Sequence, residues 1–510
     1  MTSRVGPAVF LASIIVVMPM SGQCPDGAPP PCGSRAARPA ALRNSVAVLY
    51  FDNTSRDSND LYLADGLTEE IITRLSAIAR LDVRSRHAVH RFRGSSLDDV
   101  APIARQLNVA YLVTGTVRRS GDRLRVTAEL IRASSGSQVW GQNYDQAAGD
   151  VFAIQADVAQ RVASEIVGRL LPGEQTAVAA RPGINPAAYD HILRGNFSLA
   201  RRAERPVLLA AQEFQQAVDL DPTSVTARAR LAYAYAAMLD WGWSPPGVSM
   251  DSLLSLGLAT ASRALALDAQ SSDAWMAQGW LATIRSPRTL EGAAPALERA
   301  VALDPRNGEA WHQLSTAMMR LDRDSAATAI ALRSLAIEPG RPITLNNLSY
   351  LAYVNHRFED ARRWNDSALA VDPAFVPALL LDVELRLRAG DLEGARVSAE
   401  AALRSGGPSV STTAYVALVR AARGDTAAAR ATLDSLGRVM AGLPTVNYRA
   451  PVYVALGYLA LHDETAALDA LERVTPRGRS FGFSLRLPSF DPIRASPRFQ
   501  RLVEGTQPPR

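Results

Sequence analysis

The sequence predicts a mixed α/β amino-terminal domain, a sheet with helices, followed by an all-α superhelical solenoid of helix pairs. Three observations predict it. At 510 residues the chain is too long for one hydrophobic core. Strand-length apolar runs alternate with amphipathic helical stretches over 45–175. Beyond residue 185 an acidic residue followed by proline recurs, with Pro305, Pro339 and Pro373 spaced 34 apart.

Composition narrows the function classes. Hydrophobic residues make up 47% and charged residues 21%, as in ordered globular chains, while aromatics are only 6%. Helices packed through alanine fit that balance better than a large aromatic-filled pocket. The formal charge of +5 is slight for this length, and every basic side chain other than histidine is arginine, the mark of a GC-rich coding bias. No nucleic-acid partner is expected. The densest basic stretch, Arg80, Arg84, Arg86, Arg91 and Arg93 with His87 and His90, is expected to be the solvated edge of a strand and the loop after it.

The chain opens with Arg4 and a mostly apolar run over 5–20, shorter than the ~20 residues a spanning helix needs. Pro19, Ser21 and Gly22 follow as a cleavage region would, so 1–23 is expected to be a signal peptide. Export to the periplasm or cell envelope follows, an uncleaved membrane anchor being the alternative. Gln23 before Cys24 departs from a lipoprotein box, which wants a small residue there. Cys24 and Cys32 bracket a proline-rich loop, and in an exported segment such a pair is expected to close a local disulfide. Residues 24–44 otherwise read as a linker rich in proline, alanine and arginine.

The α/β domain is expected over 45–175. Residues 45–51 form a nearly continuous apolar run, the pattern of a strand covered on both faces. Leu67, Ile71, Ile72, Leu75 and Ile78 recur at helical spacing behind Thr68, Glu69 and Glu70. A second strand is expected over 81–85, and Ser96 is expected to cap a helix reaching Leu107. Residues 110–119 and 123–133 alternate around Ser120, Gly121 and Asp122, a hairpin signature, with a last strand over 139–144. A helix over 150–171, with Val151, Ile154, Val158, Val162 and Ile166 on one face, closes the unit.

The run at 45–51, then Tyr62, Ala64, Asp65, Gly66, Leu67, Thr68, Glu69 and Glu70, then Gly115, Val117, Arg118 and Arg119, then residues 121–126, then Val139, Trp140 and Tyr144 closely resemble the TolB amino-terminal-like domain, related also to the flagellar FlgO fold. The resemblance covers roughly 45–171. It implies a non-enzymatic, extracytoplasmic or sensor-associated module that often precedes helical repeats. Relatives often carry a winged-helix, kinase or cyclase domain before it, whereas residues 1–44 here are expected to be leader and linker alone.

The repeat array is expected over 185–475. Asp221 with Pro222, Asp304 with Pro305, Glu338 with Pro339 and Asp372 with Pro373 mark the ends of units, and Pro408 follows 35 residues after Pro373. Small residues such as Gly279, Ser315, Ser349, Ala327 and Ala361 stand where two helices must approach, and Trp275, Trp311, Leu314, Leu345 and Leu348 where a gap needs filling. About eight pairs are expected. Period, small positions and terminal proline together identify tetratricopeptide (TPR) repeats. The stretch 241–246, with Trp241, Trp243 and two prolines, is expected to form a loop within the second pair. Residues 476–510 contain Phe490, Asp491, Pro492, Pro497, Phe499 and Leu502, which resemble the segment that ends TPR groups and caps the last apolar face.

Chemistry is sparse. Without lysine there is no phosphate-cradling loop, and no serine sits in a nucleophile elbow. The six histidines, His87, His90, His191, His312, His356 and His462, lack the spacing of a metal site. Acid pairs such as Glu69 with Glu70 or Asp98 with Asp99 fall in first helical turns, where the helix dipole accounts for them. No catalytic residue, cofactor or metal is therefore expected.

The TPR resemblance implies a concave face lined by the first helix of each pair. It places Tyr233, Trp280, His312, Thr316, Asn346, Tyr350 and Glu384 there, types suited to holding an extended protein segment, unless they pack between repeats. Trp241 and Trp243 are expected either to anchor a partner or to fold back over the array's edge. The functional expectation is an exported, non-catalytic scaffold binding a protein or peptide segment, with the TolB-like domain as a second contact, directed at cell-envelope components. Membrane contact is expected only if the leader is retained. The rival expectation is a ligand-sensing regulator that keeps the anchor and lacks its effector domain.

Overall fold

Residues 45–51 are buried throughout, as a strand covered on both faces requires. The computed structural model describes residues 43–57, 60–94, 100–147, 151–179, 183–285, 290, 292–442, 448–475 and 477–507. The expected leader, most of the linker, Cys24 and Cys32, and the cap Ser96 with Asp98 and Asp99 lie outside them. Within the apolar run, β1 (Ser45–Val48) ends before Leu49 and a short β2 (Asp52–Asn53) follows, so the strand expected over 45–51 is shorter than its run.

β1 pairs in parallel with β3 (Asp82–Val83) and β4 (Tyr111–Ser120), and β4, β5 (Arg123–Arg132) and β6 (Gln138–Ala147) form antiparallel ladders. The order is β3-β1-β4-β5-β6, with β2 beside β4. At the hairpin Ser120 faces Arg123, and Gly121 takes a φ of +64°, which a side chain would strain. α1 (Leu61–Ser76) buries Leu67, Ile71 and Leu75 in the core of this layer, beside Ile154, Val158 and Val162 of α4 (Val151–Val167). The helix expected to reach 171 stops earlier. Gly168 turns left-handed at φ +73° and Pro172 opens a separate helix.

The basic stretch after β3 departs from expectation. It is no solvated loop edge: Ser85 caps a five-residue helix, α2 (Arg86–His90), and most of its arginines are engaged within the chain. Arg84 donates to the carbonyls of Leu107 and Asn108 at the end of α3 (Val100–Leu107), Arg86 pairs with Glu69 at 3.2 Å and Arg93 with Asp65 at 2.8 Å. A run of like charges looks solvated in one dimension, but the acids that meet Arg86 and Arg93 come from α1, and the acid that meets Arg80, Glu174, lies beyond α4.

After α5 (Pro172–Ala179) the described residues hold eight consecutive helix pairs. They are α6 (Pro186–Leu199) with α7 (Glu204–Leu220), α8 (Val225–Trp241) with α9 (Met250–Leu267), α10 (Ser272–Arg285) with α11 (Ala293–Leu303), and α12 (Gly308–Arg320) with α13 (Asp324–Ile337). Then come α14 (Pro342–Val354) with α15 (Phe358–Val371), α16 (Val376–Arg388) with α17 (Leu392–Gly406), α18 (Val410–Ala422) with α19 (Thr426–Ala441), and α20 (Arg449–Ala460) with α21 (Glu464–Glu472). The fold is an amino-terminal mixed sheet followed by a helical repeat solenoid.

The repeat chemistry is local. Asp221, Asp304 and Asp372 end their helices and accept the backbone N–H two residues on, at 3.1, 2.9 and 3.0 Å, so each acid folds the turn that its proline stops from continuing as helix. Ser315 and Ser349, 34 residues apart, donate to the carbonyls of Ala327 and Ala361 at 2.8 and 2.6 Å, tying inner to outer helix. At Gly279, which holds the equivalent place, a Cβ would run into Leu297. Trp275 and Trp311 each donate Nε1–H to a turn carbonyl, of Ala269 and Pro305.

Two long-range contacts shape the array. Asp240 at the end of α8 pairs with Arg320 of α12 at 2.6 Å and Arg449 of α20 at 3.2 Å. The carboxy-terminal stretch, α22 (Arg479–Ser484), a 3-10 turn (Pro488–Ile493) and α23 (Pro497–Glu504), does more than cap the last pair. α23 packs on α21, yet α22 reaches α12, and Arg486 meets Asp322, Asp324 and Asn355.

Candidate functional site

The inner helices α8, α12, α14, α16, α18 and α20, the sheet layer's α1 and α2, and the carboxy-terminal stretch line a half-open chamber of about 1820 Å³. That exceeds the ~300–1,000 Å³ usual for small-molecule pockets. The sheet layer reaches the chamber at two places. Tyr62 of α1 donates to Asp190 of α6 at 2.6 Å and receives Arg194 at 2.7 Å. α2 seats on the turn between α13 and α14, where Ser85 donates to the carbonyl of Pro339 at 2.9 Å and Gly340, at φ +78°, lies against Ala88.

A charged knot lies behind that seat. The guanidinium of Arg341, 1% exposed, contacts the carboxylates of Glu309 and Glu338. Glu309 also accepts from Tyr233 at 2.7 Å, and Arg202 lies 3.6 Å away. Burial raises the Glu338 carboxyl above its ordinary range, and burial together with Arg86 and Arg341 holds the His87 imidazole well below its own. His87 sits 3.7 Å from Glu338.

Of the sequence-expected groove residues, Tyr233, Thr316, Asn346, Tyr350 and Glu384 line this chamber, as do Trp241 and Trp243. Trp280 and His312 stand behind its wall. Trp280 packs edge-on under Tyr233 at 5.0 Å, and His312 Nδ1 meets Thr344 Oγ1 at 3.1 Å. Burial, with Arg202 and Arg320 nearby, lowers His312 to about 3, so it is neutral. Trp241 and Trp243 stack on each other at 5.4 Å, half-buried, with the Arg449 guanidinium 4.4 Å over Trp241.

Farther along, Thr316 accepts from Asn347 at 2.9 Å. Asn346 is buried with its Oδ1 unpartnered. Tyr350 lies 5.7 Å from Phe483 of α22, and Glu384 accepts from Tyr415 at 2.6 Å and from Ser489 at 2.9 Å. Burial raises the Glu384 carboxyl, while those hydroxyl donors pull it partly back.

Sequence reasoning missed Tyr415, Tyr453, the Arg341 knot and the part the carboxy-terminal stretch plays in the wall. A signal for Tyr415 existed. Carrying Asn346 forward by 34 gives Leu380, and a further 35, the interval from Pro373 to Pro408, gives Tyr415; both line the chamber. Nothing local marks the others, whose partners are remote in sequence.

Comparison with known proteins gives partial matches. Residues 42–161 match the family described as HilA/YgeH-like transcriptional regulator, second domain. A curated relative from Rhizobium meliloti (strain 1021), named "Putative adenylate cyclase 3", is 31% identical over 232 residues, 45% of this chain and 39% of the relative. The chain thus spans less than half the length of that relative. Among solved structures, the Cut9 and Hcn1 hetero-tetramer of the APC/C aligns over 70% of this chain and 62% of its own, with 12% identity and a TM-score of 0.44. A thermophilic TPR protein of Thermus thermophilus aligns over 41% of this chain and 100% of its own, with 19% identity and a TM-score of 0.32. Among the described residues no helix is long and apolar enough to cross a membrane.

Proposed function

We propose that this protein is a non-catalytic binding scaffold whose TPR array holds a segment of another protein in the concave chamber. The observation that carries the reading is the chamber itself, lined by Tyr233, Thr316, Asn346, Tyr350 and Glu384 of successive inner helices and too large for an ordinary small ligand. Thr316, Asn346, Asn347 and Tyr350 supply polar and aromatic side chains suited to an extended segment. The sheet layer, read as TolB-like over 45–175 and followed by repeats over 185–475, supplies the second contact. Export to the periplasm or envelope, by the leader over 1–23, belongs to the same reading, which assigns no cofactor and no metal.

The test is crosslinking with mass spectrometry on the native envelope fraction, repeated with Asn346→Ala and Tyr350→Ala. Crosslinks from the chamber wall to one recurrent partner segment, lost in both variants at unchanged melting temperature, are expected. Unchanged crosslinks remove the chamber as the site, and recovery of the chain only from the cytosol removes the export reading.

A second reading, a regulator that senses a ligand, draws support from the relative's name and from the transcriptional-regulator family matched over 42–161. Its distinguishing outcome is a small molecule, rather than a protein, recovered from the chamber.

A further inference from the structure

Three acids are buried among the described residues: Asp65, Asp382 and Glu384. Arg93 stands 2.8 Å from Asp65, and Arg362 and Arg386 each stand 2.5 Å from Asp382. Glu384, 4% exposed, has hydroxyl donors only among the described residues, from Tyr415, Ser489 and Tyr353. A carboxylate withdrawn from water without a counter-ion is costly, and the chain meets that cost with arginine at the other two sites. Here it does not.

The surroundings of Glu384 suit a cation from outside. Tyr350, Tyr415, Tyr453 and Phe483 line the same chamber, with Tyr415 and Tyr453 edge to face at 5.3 Å and Tyr350 tilted on Phe483 at 5.7 Å. Aromatic faces attract guanidinium and ammonium groups that come within about 6 Å of a ring centroid. The chain's own nearby cations are already placed: Arg449 on Asp240 at 3.2 Å, the Trp241 ring at 4.4 Å and the Tyr453 hydroxyl, and Arg486 5.1 Å over the Phe483 ring, which leaves Tyr350 and Tyr415 beside Glu384. One turn before Tyr350, Asn346 lines the same chamber, its buried Oδ1 without a partner among the described residues. A carboxylate beside aromatic rings, with no cation answering it among the described residues, calls for a donor-rich guest.

We infer that this end of the chamber receives a cationic side chain of the bound segment, a guanidinium or ammonium group, with Glu384 as its counter-charge and the tyrosine rings as its walls. The inference rests on the reading that the chamber holds a protein segment, and it names the chemistry of that segment. Arginine fits better than lysine, because its planar group both stacks on rings and donates twice to one carboxylate.

The experiment uses the full chain and four fluorescein-labelled nine-residue alanine peptides carrying one central arginine, lysine, glutamine or glutamate, titrated by anisotropy. The arginine peptide is expected to bind on the order of tenfold tighter than the glutamine peptide, and the glutamate peptide weakest. Glu384→Gln, which keeps size and one acceptor for Tyr415, is expected to abolish the preference. Tyr453→Leu is expected to weaken it, and serves if Glu384→Gln fails to fold. Equal binding of all four peptides, sensitive to Asn346→Ala, overturns the cation inference and leaves the segment reading standing. Absence of binding by every peptide overturns both.

Discussion

Asp240 and Arg449, 209 residues apart in sequence, meet at 3.2 Å, and the same guanidinium lies 4.4 Å over the ring of Trp241. The contact joins the second helix pair to the eighth. It turns an open row of hairpins into a wall that curves back on itself, and Arg320 at 2.6 Å anchors the same carboxylate to the fourth pair.

Replacing Asp240 by alanine should therefore be severe, because it leaves two arginines facing each other in a largely buried place. A loss of about 3–5 kcal/mol is expected, read by chemical denaturation. The two arginines outweigh burial and hold the Asp240 carboxyl below its ordinary value. Its contribution is thus full above the unfolded value, near 4, and lost as pH falls through the lower folded one. Asp240→Asn should flatten that acid limb, and an unchanged limb would sink the assignment.

His312 makes a separate pH prediction. Its folded value of about 3 lies below the unfolded value near 6.5, so the unfolded chain binds the proton first as pH falls. Stability should be full above about pH 6.5 and decline below it by up to ~1.4 kcal/mol per unit. His312→Gln should remove that residue's share of the slope and leave the share of His87, whose imidazole is also held well below its ordinary value. Denaturation midpoints at pH 7.5, 6 and 5 measure it.

The carboxy-terminal stretch is core rather than an exchangeable ligand. Phe490 is fully buried, so Phe490→Ala should cost about 3–5 kcal/mol. Arg486, part-exposed and held by Asp322 and Asp324, should cost only about 1 kcal/mol when changed to alanine. Thermal unfolding of the two variants separates the cases, and the reverse ranking would mean that charge rather than packing fastens the stretch.

Ser315 and Ser349 carry one repeat bond each, donated to a buried carbonyl of the paired helix. Alanine at either place should cost about 1 kcal/mol, and the two together close to the sum, since the sites lie in successive pairs. Amide exchange in α13 and α15 should rise only in the pair that was changed.

The seat of α2 on the array can be probed at Gly340. With φ at +78° and Val371 close by, Gly340→Ala should destabilise by roughly 1–2 kcal/mol and speed exchange in α2. Exchange in α2 that stays at the wild-type rate would show that the seat is not needed to hold that helix.

Much of this was legible in one dimension. The acid that folds each turn, the proline that stops each helix and the small residue at each crossing act within one repeat, so spacing alone announced the array and its eight pairs. The hairpin around Gly121 and the amphipathic faces of α1 and α4 were equally local. Overestimates came where a single residue ended an element early, as Gly168 does for α4.

What the sequence determined, then, is every contact made between neighbours: strand alternation, helix periodicity, turn chemistry and the register that put Asn346, Tyr350 and Glu384 on inner helices. Only the tertiary structure decided which of those side chains meet a cavity and which meet another helix, why Arg86 and Arg93 are paired rather than solvated, and why, among the described residues, Glu384 meets no arginine while Asp382 meets two. The reason is geometric. A charge finds its partner through the curvature of the whole array, summed over eight pairs, and that sum is not contained in any one period of 34 residues.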